Sequence, residues 1–251
     1  MAENFEDLIA AGESADISGW DFSWLDGRAT EERPPWGYAA LLAERLSGAQ
    51  AALDLQTGGG EVLAQARAFP PVAAATESWP PNIAKATRLL HPRGVVVVAD
   101  DGEPPLRFGA EAFDLVTSRH PATVHWGEIA RVLSPGGSYF AQHVGPASVF
   151  ELIEFFLGPQ PEARRGRDPE QEAAGARAAG LEIVDLRTAR LRIEILDVAA
   201  VVYLLRKVIW WVPGFSVEKY RDRLREFHEL IQSDGPFIAY STRHLIEARK
   251  A

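Results

Sequence analysis

Between residues 51 and 144, short apolar runs alternate with stretches whose apolar residues recur every three or four positions. Ala51-Ala-Leu-Asp-Leu55 predicts a strand, Gly58-Gly-Gly60 breaks it, and Val62, Leu63, Ala66 and Phe69 resume at helical spacing. Val72–Glu77 predicts a second strand that ends in an acid. Pro80-Pro81 blocks its continuation, Asn82 suits an N-cap, and Ile83, Ala86, Leu89 and Leu90 make one apolar helix face. Gly94–Ala99 is a continuous β-branched run, as expected of a strand buried on both faces of a parallel sheet, and it leads into Asp100-Asp101. Phe113–Ser118 predicts a fourth strand, ending at Arg119-His120-Pro121. Ile129, Val132 and Leu133 place a helix before Ser134-Pro-Gly-Gly137, whose composition predicts a turn, and Tyr139–Val144 predicts a fifth strand.

Strands alternating with helices imply a mainly parallel sheet with right-handed crossovers. Ligands bind such sheets beyond the carboxyl ends of the strands. The glycine bend, Glu77, Asp100-Asp101 and Ser118-Arg119-His120 all fall at those ends. Glycine has no Cβ, so a ligand can touch the backbone at Gly58–Gly60, and the helix start beyond it would offer unpaired N–H groups.

The flanks read differently. Residues 1–50 are punctuated by turns and rich in aromatics, with Trp20, Phe22 and Trp24 alternating before Pro34-Pro-Trp36-Gly-Tyr38 and a helix from Tyr38 to Leu46. This segment reads as a structured arm, and as a lid over a pocket. After residue 160, a polar stretch containing Arg164-Arg-Gly-Arg167 gives way to an alanine-rich helix ending at Gly180. Leu181–Leu186 predicts a sixth strand, continued through Leu191–Leu196. Val198–Ile209 is an apolar helix, Ser216 caps another that Asp234-Gly235 ends, and Phe237–Tyr240 with Leu245–Arg249 suggests a closing strand. The expected layout is an arm over 1–50, a core over 51–196, a helical insert over 197–234 and a closing strand over 235–251.

Composition narrows the function. The chain has 251 residues, 47% apolar and 24% charged, as in an ordinary globular protein. A formal net charge of -9 argues against a nucleic-acid binder, although the Arg164–Arg167 cluster keeps an RNA substrate in view. No cysteine is present, which removes disulfides, thiolate metal sites and cysteine nucleophiles. His125, His143, His228 and His244 show no metal-binding spacing, so no metal is expected. No run has the length of a membrane span, and Glu3, Glu6 and Asp7 give the N-terminus no signal-peptide layout, so a cytoplasmic monomer or homodimer is expected.

Glu77 stands about 20 residues past the bend, where a carboxylate can accept both hydroxyls of a ribose; the bland alternative is a solvated acid before a turn. The nicotinamide fingerprint G-x-G-x-x-G is not present, since Gly58-Gly-Gly60 is followed by Glu61-Val-Leu63, and Glu61 would repel a diphosphate. Leu53-Asp-Leu-Gln-Thr-Gly-Gly-Gly-Glu61 resembles the first motif of class I S-adenosylmethionine-dependent methyltransferases, D-x-G-x-G-x-G. Glu77, Asp100-Asp101, Phe113-Asp-Leu-Val116 and Arg131-Val-Leu-Ser-Pro-Gly-Gly137 match the motifs that follow in that family. The tail, with Trp210, Pro213–Ser216 and Arg243–Lys250, resembles that of bacterial methyltransferases. One departure stands out: Gln56 takes the place of the first motif glycine, so its side chain must point away from the ligand or contact it.

The resemblance implies a Rossmann-like α/β fold with a seven-stranded sheet. It implies S-adenosylmethionine as cofactor, held by Asp54, Gln56, Thr57, Gly58, Gly59, Gly60, Glu77, Ser78, Asp100, Asp101, Ser118 and Arg119. Methyl transfer to a small-molecule acceptor is a direct displacement, for which alignment is the main requirement. His120 is the candidate base, and the alternative is that it and Arg119 hydrogen-bond the Asp100-Asp101 loop or the ligand. Trp20, Trp24, Trp36, Tyr38, Tyr203 and Trp210 are the candidate acceptor pocket. Arg28 is either a partner for the methionine carboxylate or a solvated side chain. A binding protein that keeps the ligand without turnover is the alternative function, ahead of a nicotinamide-dependent oxidoreductase.

Overall fold

The structure, a computed structural model, describes residues 4–251, so Glu3 lies outside the described residues. In chain order the elements are α1 (Phe5–Ser14), β1 (Ala29–Glu31), α2 (Tyr38–Gly48), β2 (Ala51–Leu55), β3 (Val72–Glu77), α3 (Pro80–Leu90), β4 (Val96–Ala99) and β5 (Phe113–Arg119). They continue as α4 (Trp126–Val132), β6 (Leu133–Val144), α5 (Phe150–Leu157), α6 (Pro169–Ala178), β7 (Leu181–Ile195), α7 (Val198–Lys207), α8 (Val217–Asp234) and β8 (Phe237–Lys250). The strands are hydrogen-bonded in the order β1-β7-β8-β6-β5-β2-β3-β4, eight rather than the expected seven. Neighbours from β6 through β4 are parallel, β8 runs antiparallel to β6, and β1 antiparallel to β7. Among the described residues no helix is long and apolar enough to cross a membrane.

Two compact units share this chain, with boundaries unlike the expected 50, 196 and 234. One comprises residues through Arg33, Ala147–Gly166 and Arg190–Thr242; the other comprises Pro34–Pro146, Arg167–Ala189 and Arg243–Ala251. The first unit has its own core, built on α7, where Val198 through Leu205 are all buried. Asp197 starts that helix by accepting from the Ala200 N–H at 2.8 Å, which satisfies one of the four open donors of a helix start. The same carboxylate pairs with Arg28 at 2.6 Å, and the Arg28 guanidinium lies over the Trp24 ring, so Arg28 is a structural cation in this unit. α1, which the pattern left unread, packs on α7 through Gly12. A Cβ at that position would stand 2.7 Å from Val202 Cβ and 2.8 Å from the Ala199 carbonyl oxygen. Gly12→Ala is therefore expected to lower stability by about 1–3 kcal/mol, measured by denaturant unfolding, because neither contact is a flexible side-chain end.

The second unit has a core on each face of its sheet. Trp36, Tyr38, Leu42, Leu46, Phe140 and Leu245 belong to one core, and Leu53, Val116, Tyr139, Ala141 and Ile246 to the other. Phe140 and Tyr139 fall on opposite faces because strand side chains alternate.

Several local expectations are corrected. No α-helix follows the glycine bend; only a single 3-10 turn forms at Leu63–Gln65. The segment is short, and Pro70 disfavours helical backbone at Phe69. Arg93 instead takes the open carbonyls of Ala64 and Ala66. Asn82 is not the N-cap of α3: Trp79 holds that position and Pro80-Pro81 occupy the first turn, where a missing N–H costs nothing. The β-branched run at 94–99 is not buried on both faces. β4 is the edge strand, and Val96 is 56% exposed. Ser134–Gly137 is not a separate turn but an irregularity within β6, where the register jumps from Phe113↔Leu133 to Leu115↔Ser138.

Candidate active site

Every residue expected to hold the cofactor lies in the second unit. Parallel pairing brings the strand ends level, with Leu55 opposite Ser118 and Glu77 opposite Ala99. The chain then leaves β2 through Gln56, whose φ of 55° is a left-handed conformation that disfavours side chains. The bend is fixed from β3: Thr76 accepts the Thr57 N–H at its carbonyl and the Gln56 N–H at its hydroxyl. Gly60, with φ 81°, comes close to α3; a Cβ there would lie 2.9 Å from Leu90 Cδ1.

Glu77 is buried beside the bend. Its Oε2 accepts the Gly58 N–H at 2.7 Å, and its Oε1 accepts the N–H groups of Ser78 and Trp79, both at 3.0 Å. A carboxylate has about four acceptor sites, so three are used and roughly one is left for a ribose hydroxyl. The expected bidentate grip on a ribose is therefore not available without displacing a backbone donor. Asp54 is buried, accepts from the Thr117 hydroxyl at 2.6 Å, and is raised by burial to about 6 against the pull of that hydrogen bond. Asp100 and Asp101 cap their own loop, accepting from Gly102 and Glu103. Ser118 donates to the Leu55 carbonyl, tying the two central strand ends together. Arg119 is exposed at the end of β5.

Two side chains fill the space above the bend. The Gln56 amide spans to the opposite loop, donating to the Thr123 carbonyl at 2.8 Å and accepting the Ala122 N–H at 2.7 Å. The Glu61 carboxylate, paired with Lys85 at 2.5 Å, lies 2.6 Å from where a Cβ on Gly59 would stand. The crevice lined by Gln56, Thr76, Gly102, Leu106, Ser118 and Thr123 keeps only about 20 Å³. The bare backbone at Gly59 thus faces the chain's own carboxylate.

His120 sits at φ 57° and accepts at Nε2 from the Gln142 amide, whose oxygen in turn accepts from Trp36 Nε1. Burial, then the Arg119 charge, push its pKa well below the usual histidine range, so the ring is neutral and its lone pair engaged. Trp36 and Tyr38 are core residues; the Tyr38 ring stacks on Phe140 and its hydroxyl donates to the Ser118 carbonyl. Trp20, Trp24, Tyr203 and Trp210 belong to the other unit, where Trp24 stacks on Tyr203 and Trp20 tilts against Trp210. None of these six lines the crevice or the larger cavity described next.

A second space of about 340 Å³ opens in the same unit, lined by Trp126, His143, Arg167, Gln171, Glu172 and neighbours. Pro121 and Val124 line both it and the crevice, so the two adjoin. The pattern along the chain gave no sign of it, because its walls come from β6, the loop after β5 and α6, far apart in sequence.

Parallel strands ending level at a glycine bend, with an acid at the next strand tip, define a Rossmann-like α/β fold. Residues 53–141 match the methyltransferase domain family. Over those residues the chain is therefore similar to methyltransferase domains, the family for which the expected cofactor is S-adenosylmethionine. No curated protein matches the sequence. Solved structures share the fold at low identity. A Bacillus halodurans C-125 protein designated a methyltransferase is 20% identical, with a TM-score of 0.61 over 84% of this chain and 98% of that one. A Thiobacillus denitrificans S-adenosylmethionine-dependent methyltransferase bound to S-adenosylhomocysteine is 18% identical, with a TM-score of 0.51 over 87% and 92%. The Haemonchus contortus phosphoethanolamine N-methyltransferase 2, bound to phosphomonomethylethanolamine and S-adenosylhomocysteine, is 18% identical, with a TM-score of 0.52 over 99% of this chain and 60% of that one.

The residues present suit the cofactor chemically. An acid lies at the tip of β3, glycines carry the bend, and the group that bridges the crevice is the end of the Gln56 side chain rather than backbone. Gln56, which bridges the crevice, would have to swing aside for a nucleoside to enter.

Proposed function

We propose that this chain methylates a small-molecule acceptor taken up in the 340 Å³ cavity, by direct displacement. The observation that carries the reading is the shared wall: Pro121 and Val124 separate the crevice from a cavity of a size that suits a small ligand. When bound, S-adenosylmethionine supplies an electrophilic methyl group on a sulfonium. Gly58–Gly60 would receive it along the backbone, Glu77 through its remaining lone pair, with Thr57, Ser78, Asp100, Asp101, Ser118 and Arg119 around the strand ends. The acceptor would lie against the Trp126 face and be oriented by Gln171 and Glu172, which makes alignment the main contribution of the protein. His120, neutral and already hydrogen-bonded at Nε2, serves this reading as a positioning group for the loop rather than as a base. A cavity of this volume suits a metabolite-sized acceptor.

Calorimetric titration with S-adenosylhomocysteine, followed by incubation of labelled methyl donor with a panel of small polar and aromatic acceptors, tests the reading. Binding together with transfer to a small acceptor supports it; binding without transfer to any acceptor, in a cell extract included, supports a non-catalytic binding protein. The Gln56 bridge favours that second reading, since it closes the crevice. Gln56→Gly removes the bridge and relieves the left-handed strain, and is expected to tighten S-adenosylhomocysteine binding by at least about tenfold, a gain of roughly 1.4 kcal/mol. An affinity equal to or weaker than that of the parent chain would show that Gln56 contacts the ligand instead of excluding it.

A further inference from the structure

His143 and His244 face each other directly across the antiparallel β6–β8 pair. Their rings lie on one face of the sheet, with centroids 5.0 Å apart. Helix α6 brings Glu172 over them; its close approach relies on Gly175, where a Cβ would stand 2.7 Å from the Trp126 ring. One carboxylate oxygen, Glu172 Oε2, meets both His143 Nδ1 and His244 Nε2, the latter at 2.9 Å. The three atoms lie within 4.8 Å of one another, and both imidazoles are nearly inaccessible to solvent. We propose that His143 Nδ1, His244 Nε2 and Glu172 Oε2 bind a divalent first-row transition-metal ion, with its open coordination positions facing the 340 Å³ cavity.

The donor set is chemically apt. Two imidazoles and one carboxylate, without thiolates, suit ions such as Zn²⁺, Co²⁺ or Fe²⁺, and a three-ligand site leaves room for water or a small ligand. His143 and Glu172 themselves line the cavity, so the remaining positions are reachable. The outer nitrogen of His143 is already supported: Nε2 lies 2.9 Å from the Tyr139 hydroxyl, the kind of outer contact that orients a metal-binding imidazole. In the metal-free arrangement the two ring N–H groups point at one oxygen. An ion with bonds of about 2.0–2.1 Å would take the place of both protons, which move to the outer nitrogens; its ligands stand about 3.3 Å apart, so the carboxylate moves back by up to about 1 Å and the two rings close toward each other. The outer nitrogen of His143 then donates to Tyr139. That of His244 is buried without a hydrogen-bond partner, so the proton moved there is left unpaired. The charges around the cavity are Glu172 and Asp168 against Arg167, which leaves the wall acidic.

The site does not depend on the methyl-transfer reading, and its test needs neither donor nor acceptor. The full chain, stripped with a chelator, is titrated with Zn²⁺ by calorimetry and with Co²⁺ by visible absorption. One ion per chain at micromolar affinity or better is expected, with a Co²⁺ ligand-field band and a raised Tm. Glu172→Gln and His244→Gln should each weaken binding by at least about a hundredfold. No binding below 100 µM, taken as a threshold about 100 times weaker than micromolar, overturns the proposal, as does undiminished binding by a folded Glu172→Gln chain. If those variants do not fold, ¹⁵N imidazole shifts of the parent chain decide: movement of His143 Nδ1 and His244 Nε2 on adding Zn²⁺ supports the site, and movement confined to other histidines overturns it.

Discussion

Replacing Glu77 by alanine is expected to weaken S-adenosylhomocysteine binding by at least about a hundredfold and to lower Tm in the same variant. Both effects come from one carboxylate. It holds three backbone N–H groups, from Gly58, Ser78 and Trp79, at 2.7–3.0 Å. Without it the Gly58 donor loses its partner beside a buried strand end, and the bend is no longer tied to β3. Loss of a charged acceptor with several donors costs about 2–4 kcal/mol, which corresponds to roughly 4–16 °C for a chain of this size. The ligand then loses both a pre-formed bend and the one acceptor site left for its sugar. Glu77→Gln sharpens the test. Its amide oxygen can keep the Gly58 contact while its NH₂ opposes the Ser78 and Trp79 donors, so an intermediate Tm and an intermediate affinity are expected. Calorimetry and thermal unfolding together decide: a lowered Tm with unchanged affinity would assign Glu77 to the scaffold alone.

Asp54→Asn is expected to stabilise the protein in a pH-dependent way. Burial raises the Asp54 pKa to about 6 from an ordinary value of 3.8, opposed by the Thr117 hydroxyl. A raised carboxylate pKa means that the folded state binds its proton more tightly than the unfolded chain. The charged form therefore penalises folding, with a penalty that grows from pH 3.8 to about pH 6 and is complete above it. Two pKa units correspond to roughly 3 kcal/mol. Asparagine keeps an oxygen for Thr117 and carries no charge. A gain of about 1–3 kcal/mol is expected at pH 8, fading to nothing near pH 4, read from denaturant unfolding at both pH values. A pH-independent difference would mean that packing rather than charge sets the effect. If the same variant loses S-adenosylhomocysteine affinity, the buried charge is retained for binding at the expense of stability.

Some elements were legible because their cause is local. Leu53 and Val116 fall in apolar runs bounded by turn residues, and both are fully buried in the parallel strands those runs predicted. Ser216 accepts the Lys219 N–H at the start of α8 as a capping serine should. Other readings failed where a neighbour overrode the local pattern. The helix expected after Gly60 is stopped by the prolines at 70 and 71 and by Arg93 arriving from the far end of α3. The valines of 95–98 have the composition of a central strand, but among the described residues no strand pairs with the outer side of β4. Strand composition records what a residue tolerates, not how many neighbours its strand acquires. The histidines at 143 and 244 show no metal spacing along the chain because their relation is one of register across β6 and β8, which strand pairing alone creates.

The amino-acid order alone settled the alternation of strands and helices between residues 51 and 144 and the glycine bend with an acid at the following strand tip. These follow from side-chain periodicity and backbone freedom, which act over a few residues. Tertiary structure decided the rest: that Glu77 spends its lone pairs on the backbone, that Gln56 bridges to residues 122 and 123, and that His143, Glu172 and His244 meet. Each of these joins groups distant in sequence, and a hydrogen bond or a shared cavity between such groups exists only once packing has fixed the distance between them.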